Sequence, residues 1–423
     1  MIKEFSFGNY RSFKEVQSLN MTASKIKEHI DTNLIEINEK QSLLKSKAIY
    51  GANASGKSNI VKALIAFINI INSPVKDEKN LFINYREFRF SDETANKPSF
   101  FQLIFEIDNV QYRYGFEATK EIITSEWLFG IPNEREVTFF IREKDKIIEI
   151  SEKHFAEGHK FVSFNIFKKN SLFLSTLAFL NGELSKQIID EINSITVLNG
   201  LEDKQFLFVG DELKNIEKKA KIINFLKIAD IGINSIDGLK VTEEFIQKNY
   251  PEMYFDELKS FQDSDMLISY HNKYNSKNEK LNEVFLSFED SQSAGTKKMF
   301  ELSSFIIDAI EKGKTIVIDE FDARFHPLIS KRIVELFNSK ENKKTQLIFV
   351  THDTNLLSTD LLRRDQIDFV EKDKYGASHL YSLVQFKGVR NTASIQKDYI
   401  NGKYGAIPFL GDFNQLFKTE EDA

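Results

Sequence analysis

Apolar and polar residues alternate from the first positions of the chain. "IKEFSFGNYRSF" and "VQSLNMTAS" read as strands, and the apolar run "KAIY" leads to Gly51. The period then changes. In "GANASGKSNIVKALIAFINIIN" the apolar residues Ile60, Val61, Leu64, Ile65 and Ile68 fall at helical spacing, and Pro74 with the charged "VKDEKN" ends the helix. Alternation returns from about 86 to 150 in "REFRFS", "SFFQLIFEID", "VQYRYGFEAT" and "EVTFFIREKDKIIEIS", with Asp108-Asn109 as a hairpin turn. From about 165 to 260 the pattern is helical and rich in Lys and Glu, with no heptads sustained enough for a long coiled coil.

The β pattern resumes in "DMLISYHN" and "NEVFLSFED", followed by "SAGTKKMFEL", the start of an amphipathic helix. "KTIVIDE" and "TQLIFVTHD" are continuous apolar strands with the helix "HPLISKRIVELFNS" between them, and "QIDFVEKD" and "SHLYSLVQF" are further strands. Continuous apolar strands alternating with helices predict a mixed or parallel core sheet with helices on both faces, an α/β fold. An antiparallel β subdomain belongs to the first 150 residues. The expected division is 1–150 as an N-terminal lobe, 151–262 as a compact, mainly helical insertion, and 263–423 as a C-terminal lobe.

Composition narrows the picture. The 39 phenylalanines can fill a sizeable core, and 57 basic against 63 acidic residues give a net charge of −6, so no global positive field draws the chain to nucleic acid or membrane. A local basic groove stays open; the lysines of 214–227 and of "IFKKN" at 166–170 read as solvated faces. With no cysteine there are no disulfides, thiolate metal sites or Cys nucleophiles. The N-terminus lacks the pattern of a signal peptide, and no stretch approaches the roughly 18 apolar residues needed to span a bilayer. A soluble, cytoplasmic protein is expected.

Three stretches carry chemistry. Gly51-Ala52-Asn53-Ala54-Ser55-Gly56-Lys57-Ser58 fits G-x-x-x-x-G-K-[ST] between a predicted strand and a predicted helix, the context a phosphate loop requires. Its glycines let successive N–H groups face the phosphates at a helix N-terminus. Lys57 would hold the β- and γ-phosphates of ATP, and Ser58 would ligate Mg2+. "TIVIDEFDARFHP" ends an apolar strand in two carboxylates: Asp319 would hold Mg2+, and Glu320 would orient and deprotonate the attacking water. His352, at the end of "LIFVTHD", could hydrogen-bond the γ-phosphate or the water.

In this order the motifs resemble ABC-type ATPases related to SMC, RecF and OLD proteins, which implies an ABC-type P-loop ATPase head. The spelling is similar to the RloA/AbiLi-like and PARIS AriA-like bacterial defence ATPases in "NYRSF", "GANASGKSN", "SAGTKK", "DEFDARFHP", "FVEKD" and "NGKYGAIPFL". The match covers both ends of the chain well and the middle loosely. It implies that Gln292-Ser293-Ala294-Gly295-Thr296 stands where such ATPases carry LSGGQ, keeping the serine and second glycine. Ser293 and Gly295 would then cap the γ-phosphate bound by a second copy. Asp322 resembles the acid that links the two sites across the dimer, and Arg11 resembles an arginine that approaches the nucleotide. No glutamine stands out for the family's Q-loop: Gln102 and Gln111 lie on the β region without distinctive context.

The resemblance implies an ATP-hydrolysing sensor, a homodimer or higher homo-oligomer bridged by ATP. It would act in anti-phage defence with a separately encoded effector such as a nuclease or other toxin. Two other readings stay open: a RecF- or SMC-like DNA maintenance ATPase, marked by a basic groove, and a scaffold that assembles on ATP with little turnover.

Overall fold

The computed structural model describes residues 1–423 except 40, 74–83, 163–166, 203–208, 210, 211, 230, 241–264, 390–393, 409, 412 and 414–423. The helix-ending run from Pro74 and much of the Lys/Glu-rich stretch after 240 therefore lie outside the described residues.

Two sheets organise the chain, while β3 (Leu34–Asn38) and β4 (Gln41–Leu44) pair with each other outside them. β1 (Ile2–Gly8), β2 (Gln17–Asn20), β6 (Ser99–Ile107), β7 (Val110–Ala118), β8 (Ile123–Ile131), β9 (Val137–Glu143) and β10 (Lys146–Ile150) form an antiparallel sheet in the order β10-β9-β8-β7-β6-β1-β2. Their alternation buries one face, and Asp108 and Asn109, both at positive φ, make the expected two-residue turn between β6 and β7.

The second sheet holds β5 (Ser46–Gly51), β11 (Thr196–Asn199), β15 (Thr315–Asp319), β16 (Gln346–Val350), β17 (Ile367–Lys372) and β18 (Ser378–Ser382), in the order β11-β15-β16-β5-β17-β18. All but β18 run parallel. β5, β15 and β16 are buried throughout, as their unbroken apolar runs predict.

Helix α1 (Lys57–Ile71) fills the space between the sheets. Its stripe of Ile60, Val61, Leu64, Phe67 and Ile71 packs with Phe5, Phe7, Phe116 and Val350, each large side chain contributing about 1.5–3 kcal/mol on burial. α2 (Phe173–Phe179) and α3 (Glu183–Asn193) close the same core. On the opposite face of the core sheet lie α4 (Ile216–Ile228), α5 (Ala294–Lys312) and α6 (Pro327–Phe337), with α7 (Ile395–Ile400) near the end of the chain.

The sequence pattern misplaces one strand. Residues 86–91, "REFRFS", form no strand. The Arg86 carbonyl accepts from the Arg11 N–H (2.6 Å) and the Phe88 N–H donates to the Asn9 side chain (3.0 Å), so a turn at positive φ has taken the groups a ladder would need. Residues 151–262, expected to be mainly helical, carry α2, α3 and α4 but also β11 and β12 (Ser235–Lys240). β11 enters the core sheet. β12 pairs with β13 (Asp265–Tyr274), which pairs with β14 (Lys280–Ser287) in a separate three-stranded sheet.

Candidate nucleotide site

The 51–58 loop joins β5 to α1 at the carboxyl end of the core sheet. Close neighbours dictate its glycines. A Cβ on Gly51 would lie 2.4 Å from the Val370 carbonyl oxygen, and one on Gly56, at φ 117°, would lie 2.5 and 2.7 Å from the hydroxyls of Ser378 and Ser12. Ala54 accepts a left-handed φ of 60°. The buried Ser55 hydroxyl has no partner among the described residues, an orphan of the kind a phosphate-binding loop leaves for its ligand. Lys57 Nζ folds back to donate to the carbonyls of Gly51 (2.9 Å) and Ala52 (3.0 Å). Burial pulls its amine below the ordinary lysine value, opposed by the nearby carboxylates of Glu320, Asp319 and Asp322.

β15 brings the acids to this loop. The Ser58 hydroxyl donates to Asp319 Oδ1 (3.1 Å), so the two expected Mg2+ ligands already touch. Burial raises the Asp319 carboxyl above its usual range, against the lowering effect of Ser58, Lys62 and Lys57. Glu320 follows at φ 54°. That turn separates its side chain from the alternation of the strand, which would otherwise send adjacent acids to opposite faces.

Asp322 and His352 form a second cluster. Asp322 Oδ1 accepts from the Thr351 hydroxyl (2.6 Å) and from the His352 backbone N–H (3.1 Å), so within one chain this acid fixes the loop that carries the histidine. Burial first, and then the charge of Lys57, hold the His352 imidazole below its ordinary pKa. Arg11 lies in the Tyr10–Phe13 turn at φ 52°, its guanidinium 5.7 Å from the Tyr10 ring centre. The adjoining Ser12 hydroxyl accepts from Asn59 of α1 (2.8 Å).

Ser293 and Gly295 lie at the start of α5. Ser293 caps α5, accepting from the Thr296 N–H (3.1 Å), and its side chain is exposed. A Cβ on Gly295 would approach the Arg324 carbonyl oxygen to 2.7 Å. Behind them, the Gln292 amide donates to Ser269 Oγ (3.0 Å) and lies 3.2 Å from His271 Nε2, both on β13.

One contributor has no motif in the sequence. Gln102 accepts from the Trp127 indole and Gln111 from Lys3, both on the antiparallel sheet. The strand beside β15 instead ends at Asn199, in register with Asp319. The next residue, Gly200, donates its N–H to the Asp319 carbonyl (2.7 Å), and a Cβ there would sit 2.0 Å from the Glu320 carbonyl oxygen. Lys298 of α5, fully buried, donates to the carbonyls of Asn199 (2.9 Å) and Glu202 (3.0 Å) and pairs with Glu301 (2.9 Å). The short β-branched run "ITVL" stopped by Asn-Gly is the only sequence trace of this contact.

A glycine loop at the carboxyl edge of a parallel sheet, with a strand-end acid on its serine, defines a P-loop nucleotide-binding head. Residues 48–358 match the family described as "AAA domain, putative AbiEii toxin, Type IV TA system", and the chain belongs to that family of P-loop ATPases. No curated protein matches the sequence. Similar solved structures include the SMC head domain from Thermotoga maritima, at 13% identity over 90% of this chain and 98% of that one (TM-score 0.42). A second is the SmcHead bound to the C-winged helix domain of ScpA, at 15% identity, 90% and 97% coverage and a TM-score of 0.45. A third is the Smc head domain with an extended coiled coil bound to the C-terminal domain of ScpA derived from Pyrococcus furiosus, at 14%, 90%, 96% and 0.39. Among the described residues no helix is long and apolar enough to cross a membrane.

Proposed function

We propose that the protein binds ATP with Mg2+ and hydrolyses it to ADP and phosphate. The observation that carries this reading is the contact of Ser58 with Asp319 (3.1 Å) beside a buried Lys57 that rests on its own loop carbonyls. Mg2+ held by Ser58 and Asp319 would supply charge neutralisation at the phosphates. Lys57 exchanges the carbonyls of Gly51 and Ala52 for phosphate oxygens, and the N–H groups of residues 52–58 receive the rest of the phosphate charge. Glu320 accepts the proton of the attacking water. His352, kept neutral by burial, hydrogen-bonds the water or the γ-phosphate.

The exposed Ser293 and the half-buried Gly295 support a composite site. They serve the nucleotide of a second copy, so that ATP bridges a homodimer. In this reading the ATPase is a sensor in anti-phage defence and signals to a separate effector, a nuclease or other toxin. Three of the four lysines of α4 are paired, which favours it over DNA maintenance: Lys218 pairs with Glu212 and Asp308, Lys219 with Asp237, and Lys221 with Glu217 and Glu311.

Turnover and binding of labelled ATP test the chemistry together. Lys57→Ala is expected to weaken ATP binding, whereas Glu320→Gln should keep binding and lose turnover by about 10²-fold or more, the usual contribution of a positioned base. Wild-type turnover in Glu320→Gln would remove Glu320 from that role. Co-expression with the neighbouring reading frame during phage challenge tests the defence reading; protection by the ATPase gene alone would argue against a separate effector.

A further inference from the structure

Lys298 is buried on α5, next in sequence to the buried Met299 and Phe300. An apolar side chain there would pack without desolvating an ammonium, so the packing of α5 does not call for a charge. All three donors of that ammonium are used. One goes to Glu301 on the same helix (2.9 Å), and the other two reach off the helix to the carbonyls of Asn199 (2.9 Å) and Glu202 (3.0 Å). These carbonyls bound a turn that closes on itself: the Asn199 carbonyl accepts from the Glu202 N–H (3.2 Å), and the Asn199 side-chain oxygen accepts from the Leu201 N–H (3.0 Å). Within the turn, Gly200 meets the carbonyls on both sides of the Glu320 Cα. Its N–H donates to that of Asp319 (2.7 Å), and its Cα lies so close to that of Glu320 that a Cβ would come within 2.0 Å. A cavity of about 230 Å³, lined by Asn199, Glu202, Lys298 and Asp319 among others, adjoins the turn. On that side hydrogen bonds, not packing, hold it in place.

We propose that Lys298 is a positioning residue for ATP hydrolysis: it holds the 199–202 turn against the Asp319–Glu320 backbone and so aims the Glu320 carboxylate. The inference rests on the reading of Glu320 as the acceptor of the water's proton. None of these three hydrogen bonds reaches the phosphate loop, so loss of Lys298 leaves ATP binding in place and acts on the chemical step.

The test compares three variants. Lys298→Met combined with Glu301→Gln removes both donors to the turn without leaving a buried carboxylate unpaired. Glu301→Gln alone breaks the ion pair and keeps both contacts to the turn. Lys298→Arg keeps donors for the two carbonyls, with the cavity as room for the guanidinium. Turnover is counted per folded molecule beside ATP binding and the thermal midpoint, so a variant that is only less stable shows no loss. The double variant is expected to lose about tenfold or more in kcat, as a small misplacement of a reacting group does, with KM and ATP binding within about threefold of wild type. Glu301→Gln and Lys298→Arg are expected to keep kcat within about threefold. Amide exchange of residues 199–202, followed without nucleotide, is expected to quicken about tenfold or more in the double variant alone. Wild-type kcat in the double variant overturns the proposal, as does a loss that Glu301→Gln alone reproduces or one carried by KM. Unchanged exchange in the double variant overturns it independently of ATP, because the turn is then held by other contacts. Absence of turnover in the wild-type protein overturns the ATPase reading itself, an outcome the wild-type measurement alone identifies.

Discussion

Glu320 pays a conformational cost that its neighbours sustain. At φ 54° a side chain with a Cβ loses about 1–2 kcal/mol relative to the right-handed region, and Gly200 leaves just enough room for the resulting carbonyl. Gly200→Ala is therefore expected to destabilise the protein by about 1–3 kcal/mol through overpacking and to lower ATP turnover at least tenfold by displacing Glu320. Turnover read beside the thermal midpoint checks this; unchanged turnover would mean that Glu320 is positioned by other contacts. His352 is expected to titrate below the ordinary 6.5 because burial disfavours the imidazolium, so at pH 6.5 more than half of the protein carries it neutral. An imidazole NMR titration with its midpoint at or above 6.5 would contradict that. At this scale the sequence makes the places of Lys57, Ser58, Asp319 and His352 legible, because they lie at a helix start, at a strand end and two residues past one, beside elements with strong periodicity. It was silent on Asn199 and Gly200: four residues of strand carry too little alternation to be seen, and what makes them matter is a backbone approach made by a distant part of the chain.

Elements fold as their patterns dictate where hydrogen-bonding groups are not claimed by something else. The apolar runs at 46–51, 315–319 and 346–350 became central strands, whereas 86–91 alternates equally well and lost its ladder to the Asn9 side chain and the Arg11 turn. A buried ion pair does similar work in the antiparallel sheet. Glu126 on β8 and Arg142 on β9 have no exposure and meet at 3.1 Å. Glu126 also accepts from the N–H groups of Phe173 (2.7 Å) and Leu174 (3.0 Å), so it anchors the start of α2 where the helix dipole favours an anion. Arg142 spends its remaining donors on the carbonyls of Lys144, Lys168 and Ser171. Glu126→Ala strands the guanidinium in the core and is expected to cost about 3–5 kcal/mol, seen as a lower urea midpoint. A cost below about 1 kcal/mol would show that the carbonyls alone satisfy Arg142. The sequence shows a Glu and an Arg on neighbouring strands, but not that their register faces both inward.

For the whole molecule the question is whether one chain holds a complete site. Ser293 caps its own helix and is exposed, so its loss costs the fold about 1 kcal/mol; a large effect of Ser293→Arg on turnover would come from elsewhere. If the site is shared, Lys57→Ala removes the phosphate half and Ser293→Arg the capping half, and each protein alone is inactive. Mixed in equal amounts with free exchange, about half of the dimers contain one of each chain, by the statistics of a two-fold assembly. In those, the intact phosphate loop of the Ser293→Arg chain faces the intact Ser293 of the Lys57→Ala chain, while the opposite site carries both lesions. One good site in half of the dimers restores about a quarter of the wild-type turnover. A mixture no more active than its components, under ATP concentrations that hold wild type as a dimer, would place all the required groups within a single chain and leave Ser293 as a helix cap.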